Sequence, residues 1–175
     1  MIVYCDVDGV VLDLVRHICD HHRLPKYSGN DWNLAAGLGM DADVLWAPTR
    51  ETSFWYSAPK EPHADKLVKV LKGFGTGFRF CTASFPFVWS YAGKVEWLLR
   101  NYPWNKIQMI TDKWELAAPD RLLIDDKEDT VSRWVGAGGI GILWPQPWNS
   151  NRGANPEEIL AAIASRRLSS VSYRC

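Results

Sequence analysis

The sequence predicts an α/β fold: a doubly wound, mostly parallel sheet with a small helical insertion after its first strand–helix region. Three observations carry that expectation. Short apolar runs of strand length alternate with segments of helical period, as crossover-connected parallel strands require. Several of those runs end in Asp, Thr or a nearby Lys, at the sheet edge where ligands bind in open α/β folds. One stretch, 25–59, interrupts the alternation and is studded with aromatic residues.

The first strand is expected over 2–6, an apolar run that stops at Asp6-Val7-Asp8-Gly9. Asp13 is positioned to cap a helix over about 14–23, which ends before Pro25. The stretch that follows holds Gly29, Gly37, Gly39, Pro48 and Pro59, together with Trp32, Trp46, Phe54, Trp55 and Tyr56. It reads as an insertion of short helices, because a linker would be poorer in aromatics. The core is accordingly assigned to 1–24 and 60–175, and the cap to 25–59. Helical spacing returns over 63–72, with Leu67, Val68, Val70 and Leu71. Phe78 to Cys81 forms a second strand ending at Thr82. A helix over 87–101 would turn Val88, Tyr91, Val95, Leu98 and Leu99 to one side. Strands at 106–110 and 121–124, a helix at 128–137, a strand at 140–143 and a closing helix at 156–166 complete the pattern. Pro156 suits the first turn of that last helix. The Ser- and Arg-rich tail after Arg166 is expected to be disordered.

Composition narrows the function classes. The 20 basic and 20 acidic side chains cancel, so no overall field draws in polymeric nucleic acid or an anionic membrane. The four cysteines, Cys5, Cys19, Cys81 and Cys175, form no CxxC pair and no metal-ligand spacing, and Cys5 and Cys81 fall in expected buried strands as small hydrophobes, which favours a reducing compartment. No basic-apolar leader opens the chain, and no apolar run spans a bilayer. The expectation is a cytoplasmic protein with a small-molecule substrate and no membrane partner. A homodimer is compatible with it.

The strand ends carry the chemistry. Period-two geometry puts the side chains of Asp6 and Asp8 on one side of the first strand's carboxyl end. If the sheet is parallel, Thr82-Ala83-Ser84, Thr111-Asp112-Lys113 and Asp125-Asp126 join them on one edge. Four carboxylates gathered there require a cation, and hard oxygen ligands with room for phosphate suit Mg²⁺. A lysine and a hydroxyl beside that cation suit a phosphoryl group. A carboxylate can then attack phosphorus, and a second one, two residues on, can protonate the leaving alcohol and activate water. The duller reading of Asp8-Gly9 is an acidic turn closing a strand. Such a turn does not account for the three later strand ends.

The order DxDGV, hydrophobic-Cys-Thr, Lys and LLIDD resembles the haloacid dehalogenase (HAD) phosphatase superfamily, over nearly the whole chain. The resemblance implies a Rossmann-like core. It makes Asp6 the nucleophile and a Mg²⁺ ligand, and Asp8 the acid/base with its backbone carbonyl on the metal. Thr82 and Lys113 become the phosphate-binding hydroxyl and lysine. Asp125 and Asp126 become the acidic pair, at least one of them on Mg²⁺, with similarity leaning to Asp126. DVDGVVLDL, FCTAS, LLIDDKEDT and ILWPQPWN further resemble the 5'(3')-deoxyribonucleotidase family. Its members hold a nucleobase under a small aromatic cap, where 32–56 lies here. That implies a nucleoside monophosphate substrate near Leu14, Trp32, Trp46, Phe54, Trp55, Thr82, Ala83 and Lys113. Leu14 stands where a base-contacting Phe is usual, and Ala83 where a serine is common.

Two readings compete with that one. The same chemistry could serve another small phosphomonoester, such as a sugar phosphate; base dependence discriminates. A non-catalytic nucleotide binder on the same fold would not need the intact set Asp6, Asp8, Thr82, Lys113 and Asp126. Trp148 and Asn149 are read as structural. His17, His21, His22 and His63 are read as packing or surface residues, because no third ligand accompanies them.

Overall fold

A computed structural model of the chain describes residues 1–103 and 105–171, with side chains up to 166. Its first strand is its central one. β1 (Ile2–Cys5) pairs in parallel with β2 (Phe78–Thr82) on one side and with β4 (Arg121–Asp125) on the other. β3 (Lys106–Met109) lies outside β2, and β5 (Ile140–Leu143) lies outside β4. The order is therefore β3-β2-β1-β4-β5, parallel throughout. Cys5 stands opposite Phe80 in β2 and Ile124 in β4. The three inner strands are buried almost end to end, which is why they read as continuous apolar runs.

Eight α-helices accompany the sheet among the described residues: α1 (Leu14–His21), α2 (Leu34–Leu38), α3 (Ala42–Trp46), α4 (Thr52–Tyr56), α5 (Ala64–Lys72), α6 (Val88–Asn101), α7 (Glu128–Gly136) and α8 (Pro156–Val171). Asp13 caps α1 as its position suggests, accepting a 3.1 Å bond from the Arg16 N–H. α8 starts at Pro156 and runs to Val171, five residues past the expected end. The rest of the tail expected to be disordered, 172–175, lies outside the described residues.

One helix turns a different face inward from the one its apolar residues suggest. On α6, Val88 is 73 % exposed, and Tyr91 and Leu99 are exposed too. The buried face is Ser90, Gly93, Lys94, Trp97 and Leu98. Fit decides this, not hydropathy. Trp55 of α4 lies so close that any Cβ at position 93 would overlap its indole. Only a face built around Gly93 can accept it.

The insertion consists of α2, α3, a 3₁₀ turn over Ala47–Arg50, and α4. Its Leu34, Ala35, Leu45, Phe54 and Trp55 belong to the same continuous core as β1 and α5. Entry and exit are tied together. The Asp13 N–H donates to the Pro59 carbonyl at 2.9 Å, and the Glu61 N–H to the Val11 carbonyl at 3.0 Å. No helix among the described residues is long and apolar enough to cross a membrane.

This topology fixes where a ligand can sit. From β1 the chain builds outward to β2 and β3, then crosses back to add β4 and β5 on the opposite flank. The crevice beyond the carboxyl ends of β1 and β4 is the switch point of the sheet.

Candidate active site

Both strands at the switch point end in carboxylates. Asp6 follows β1, and its N–H donates to the Ile124 carbonyl of β4 at 2.8 Å. Its Oδ1 accepts from the Val7 N–H at 2.7 Å and lies 2.8 Å from Lys113 Nζ. Asp125 ends β4. Its Oδ2 accepts from Lys113 at 2.6 Å and its Oδ1 from the Lys127 N–H at 2.9 Å. Lys113, on the 3₁₀ turn after β3, thus bridges the two strand ends from a buried position.

Asp126 is held differently. Its Oδ2 accepts from Trp148 Nε1 at 2.9 Å, and its backbone carbonyl from Asn149 Nδ2 at 2.8 Å. Its Oδ1 is buried and has no protein partner. Oxygens of Asp6, Asp125 and Asp126 lie within 4.8 Å of one another. Gly9 makes room for this packing. Its φ is +70°, and a Cβ there would overlap the Asp126 carboxylate.

The second half of the cleft comes from β2 and α6. Thr82 ends β2, and its hydroxyl donates to the Ala83 carbonyl at 3.0 Å. Lys94 Nζ reaches the same place from α6. It donates to Asp8 Oδ2 at 2.7 Å, to the Ala83 carbonyl at 2.5 Å and to Thr82 Oγ1 at 3.4 Å. Asp8 Oδ1, like Asp126 Oδ1, is buried without a partner.

Four carboxylates therefore face two ammonium groups in one buried cleft, a formal excess of two negative charges. The titration behaviour reflects it. Burial pushes the Asp126 carboxyl well above its ordinary value, and the charges of Asp125 and Asp6 add to the shift. Asp125 is raised by burial and then by Asp6, with Lys113 opposing. Burial also raises Asp8, while Lys94 works the other way. Burial alone would lower Lys113, but Asp6 and Asp125 outweigh it and its pKa stands above the ordinary lysine value. One divalent cation would cancel that excess. The free Asp126 Oδ1 beside the other two carboxylates is a donor set of the hard-oxygen kind that Mg²⁺ takes. These residues fit the ion.

Two cavities meet at Asp8 and Trp32. One, of about 180 Å³, is lined by Asp6, Asp8, Thr82, Ala83, Lys113 and Asp125 among others. The second, of about 290 Å³, is mostly aromatic and aliphatic, with Leu14, Tyr27, Trp32, Trp46, Phe85 and Trp148 in its walls. Trp46 leans on Phe85 at 5.4 Å between ring centroids, and Trp32 meets Trp148 edge-on at 6.2 Å. Of the aromatics and Leu14 expected near a substrate, Leu14, Trp32 and Trp46 line this cavity. Phe54 and Trp55 do not, which corrects the expectation for both. Phe54 packs 4.2 Å from the His17 ring and lines a separate cavity with His21, His22, Val44 and Pro48. Trp55 is fully buried, its Nε1 donating to the Thr49 carbonyl at 3.2 Å. On a five-residue helix, neighbours point in different directions, so adjacent aromatics cannot all face one cavity.

No family model matches this chain, and no curated protein matches it in sequence. Solved structures match in fold. An HAD family hydrolase from Deinococcus radiodurans R1, with bound phosphate and sodium, is 15 % identical with a TM-score of 0.50, covering 93 % of this chain and 87 % of its own. A hydrolase from Pseudomonas syringae is 13 % identical (TM-score 0.48, 95 % and 89 % covered). The HAD domain of the effector Lem4 from Legionella pneumophila, an inactive mutant, is 11 % identical (TM-score 0.46, 97 % of each chain covered). The chain has the α/β Rossmann-like fold of such hydrolases.

Sequence reasoning missed three residues at this site. Lys94 carries a signal in hindsight: it is a lysine on the inward stripe Ser90–Gly93–Lys94–Trp97. Trp148 does more than the structural part its sequence position suggests: it both lines the aromatic cavity and bonds Asp126. Phe85, just beyond the Thr82 loop, faces Trp46 across the cavity wall. The histidines behave as packing residues: His17 and His22 bond backbone carbonyls of Phe54 and Leu45.

Proposed function

We propose that this protein is a Mg²⁺-dependent phosphomonoesterase that hydrolyses (deoxy)nucleoside monophosphates to nucleoside and inorganic phosphate. The observation that carries the reading is the junction of the two cavities. A cleft of paired carboxylates, a lysine and a hydroxyl shares Asp8 and Trp32 with an aromatic chamber. A phosphate in the first places whatever it is esterified to in the second. The HAD-like fold is consistent with this chemistry.

The Asp6 carboxylate attacks phosphorus and the bond to the ester oxygen breaks. That oxygen takes a proton from Asp8 and departs as the nucleoside hydroxyl. Water then attacks the aspartyl-phosphate, giving its proton to Asp8, and the Asp6–phosphorus bond breaks to release phosphate. Lys113 bridges Asp6 and Asp125, offsetting their mutual repulsion, and lies where charge builds on the transferring group. Thr82 supplies a hydroxyl at the same edge. Asp6 and Asp126 would hold Mg²⁺, because both oxygens of Asp125 are already engaged while Asp126 Oδ1 is not. When bound, the ion offsets negative charge on the phosphoryl oxygens.

The test is phosphate release from a panel of nucleoside monophosphates and base-free sugar phosphates, with Mg²⁺ or with EDTA, beside D6N. Release confined to nucleotides and abolished by EDTA and by D6N supports the reading. Equal release from base-free substrates replaces the nucleotide with another small phosphomonoester. Release that survives D6N overturns the mechanism.

A further inference from the structure

We propose that Lys94 is the positioning residue for Asp8, fixing one carboxylate oxygen so that the other is the working oxygen. The inference rests on the hydrolase reading above and deepens it. An ammonium group has three donors and no acceptor. All three of Lys94's have protein partners: Asp8 Oδ2, the Ala83 carbonyl and Thr82 Oγ1. The side chain is 1 % exposed. Lys94 thus has no N–H left over for a phosphate, which separates it from a substrate-binding lysine. It ties Asp8 to the loop after β2, and so to the threonine on the same edge of the cleft.

The consequence falls on Asp8. With Oδ2 held, Oδ1 is the oxygen left without a partner in a buried position. It is therefore the atom that gives a proton to the ester oxygen and later takes one from water. The lysine is itself held from below. Its ammonium sits 5.2 Å from the centre of the Trp55 ring, a cation–π placement. Trp55 can come that near because the residue before Lys94 is Gly93. Trp55, Gly93 and Lys94 form a stack that ends on Asp8.

A positioning role through the acid has a signature that a structural or phosphate-binding role lacks. 4-Nitrophenolate is a good leaving group and departs without a proton; a nucleoside hydroxyl does not. The first turnover, before the phosphoenzyme is hydrolysed, isolates that difference. K94M is compared with wild type in rapid-mixing experiments on 4-nitrophenyl phosphate and on the nucleoside monophosphate that wild type turns over best. The expected result is a first-turnover nucleoside release slowed by about 10²-fold, with the nitrophenolate burst within about threefold of wild type and KM little changed.

Equal slowing on both substrates, or a large rise in KM alone, overturns the proposal. So does no slowing on either. If K94M leaves Asp8 unpaired and does not fold, D8N/K94M removes both charges and carries the test. Its first-turnover rates should equal those of D8N, and a further tenfold drop overturns the proposal. A wild-type protein that releases phosphate from neither substrate instead overturns the hydrolase reading, and this inference with it.

Discussion

Gly9 and Asp126 compete for the same space: a single methyl group on the glycine would overlap the aspartate's Oδ2. The turn after β1 and the end of β4 are thereby fitted to each other at atomic distance, with the Trp148 indole as the third neighbour. G9A should be damaging in two separable ways. The left-handed backbone costs an alanine about 1–2 kcal/mol, which lowers the melting temperature. Displacement of Asp126 raises the Mg²⁺ concentration needed for half-maximal phosphate release. A melting shift with an unchanged Mg²⁺ requirement would refute the second half.

Trp148 offers a milder probe of the same carboxylate. W148F keeps a ring in the cavity wall but removes the Nε1–H that donates to Asp126 Oδ2. Partners that orient a metal ligand are typically worth about 10–100-fold in metal affinity. The expected result is a Mg²⁺ titration shifted by about tenfold, with the maximal rate largely recovered at saturating Mg²⁺.

Trp46 and Phe54 should separate recognition from stability. Base–aromatic stacking is worth about 1–3 kcal/mol. W46A should therefore lower kcat/KM for nucleotides by roughly 5–150-fold and leave a base-free phosphate unaffected. F54A removes a buried ring packed on His17. It should cost about 3–5 kcal/mol of stability with no preference among substrates. Paired melting curves and kinetics on the two variants check both halves.

Glu61 predicts a pH dependence of folding. Its Oε1 accepts from Gln146 Nε2, and the same amide donates to the Gly9 carbonyl at 2.6 Å. Burial, then the charge of Asp13, raises its pKa from 4.5 to about 8. Between those values the folded state keeps a proton that the unfolded chain has released. Stability therefore falls as pH rises through that window. E61Q keeps an acceptor for Gln146 and cannot ionise. Denaturant unfolding from pH 4.5 to 8 should show a smaller fall for E61Q than for wild type; identical slopes would exclude Glu61 as the source.

Strand ends were legible because two independent signals coincide there: an apolar run stops, and a polar residue of definite chemistry follows. Asp6, Thr82 and Asp125 stand out on both counts, and the parallel sheet brings them to one edge. Lys113 needed only its distance from a strand end. Residues presented by helix faces were not legible in the same way. Val88, Tyr91 and Leu99 are more apolar than Ser90, Gly93 and Lys94, yet the second set is buried, because α6 must accommodate the Trp55 indole and reach Asp8. That requirement comes from tertiary fit, which no local window contains. The same limit governs the insertion. Its aromatics announce a chamber, but the short helices divide them between that chamber, the core and a separate cavity, and only three-dimensional placement tells Trp46 from Trp55.

β1 makes every ladder hydrogen bond with strands that come much later in the chain: β2 begins at Phe78 and β4 at Arg121. During synthesis the segment Val3-Tyr4-Cys5 must therefore wait, apolar and with both edges open, until its neighbours emerge. Such long-range pairings are slow to form, and unpaired apolar edges invite association with other chains. The segment that delivers Asp6 is thus aggregation-exposed in the nascent protein. Asp6 also meets its carboxylate partners only when β4 docks and supplies Asp125 and Asp126. A chain that stalls before that point has Asp6 without Asp125 and Asp126, and so lacks the three-carboxylate cluster.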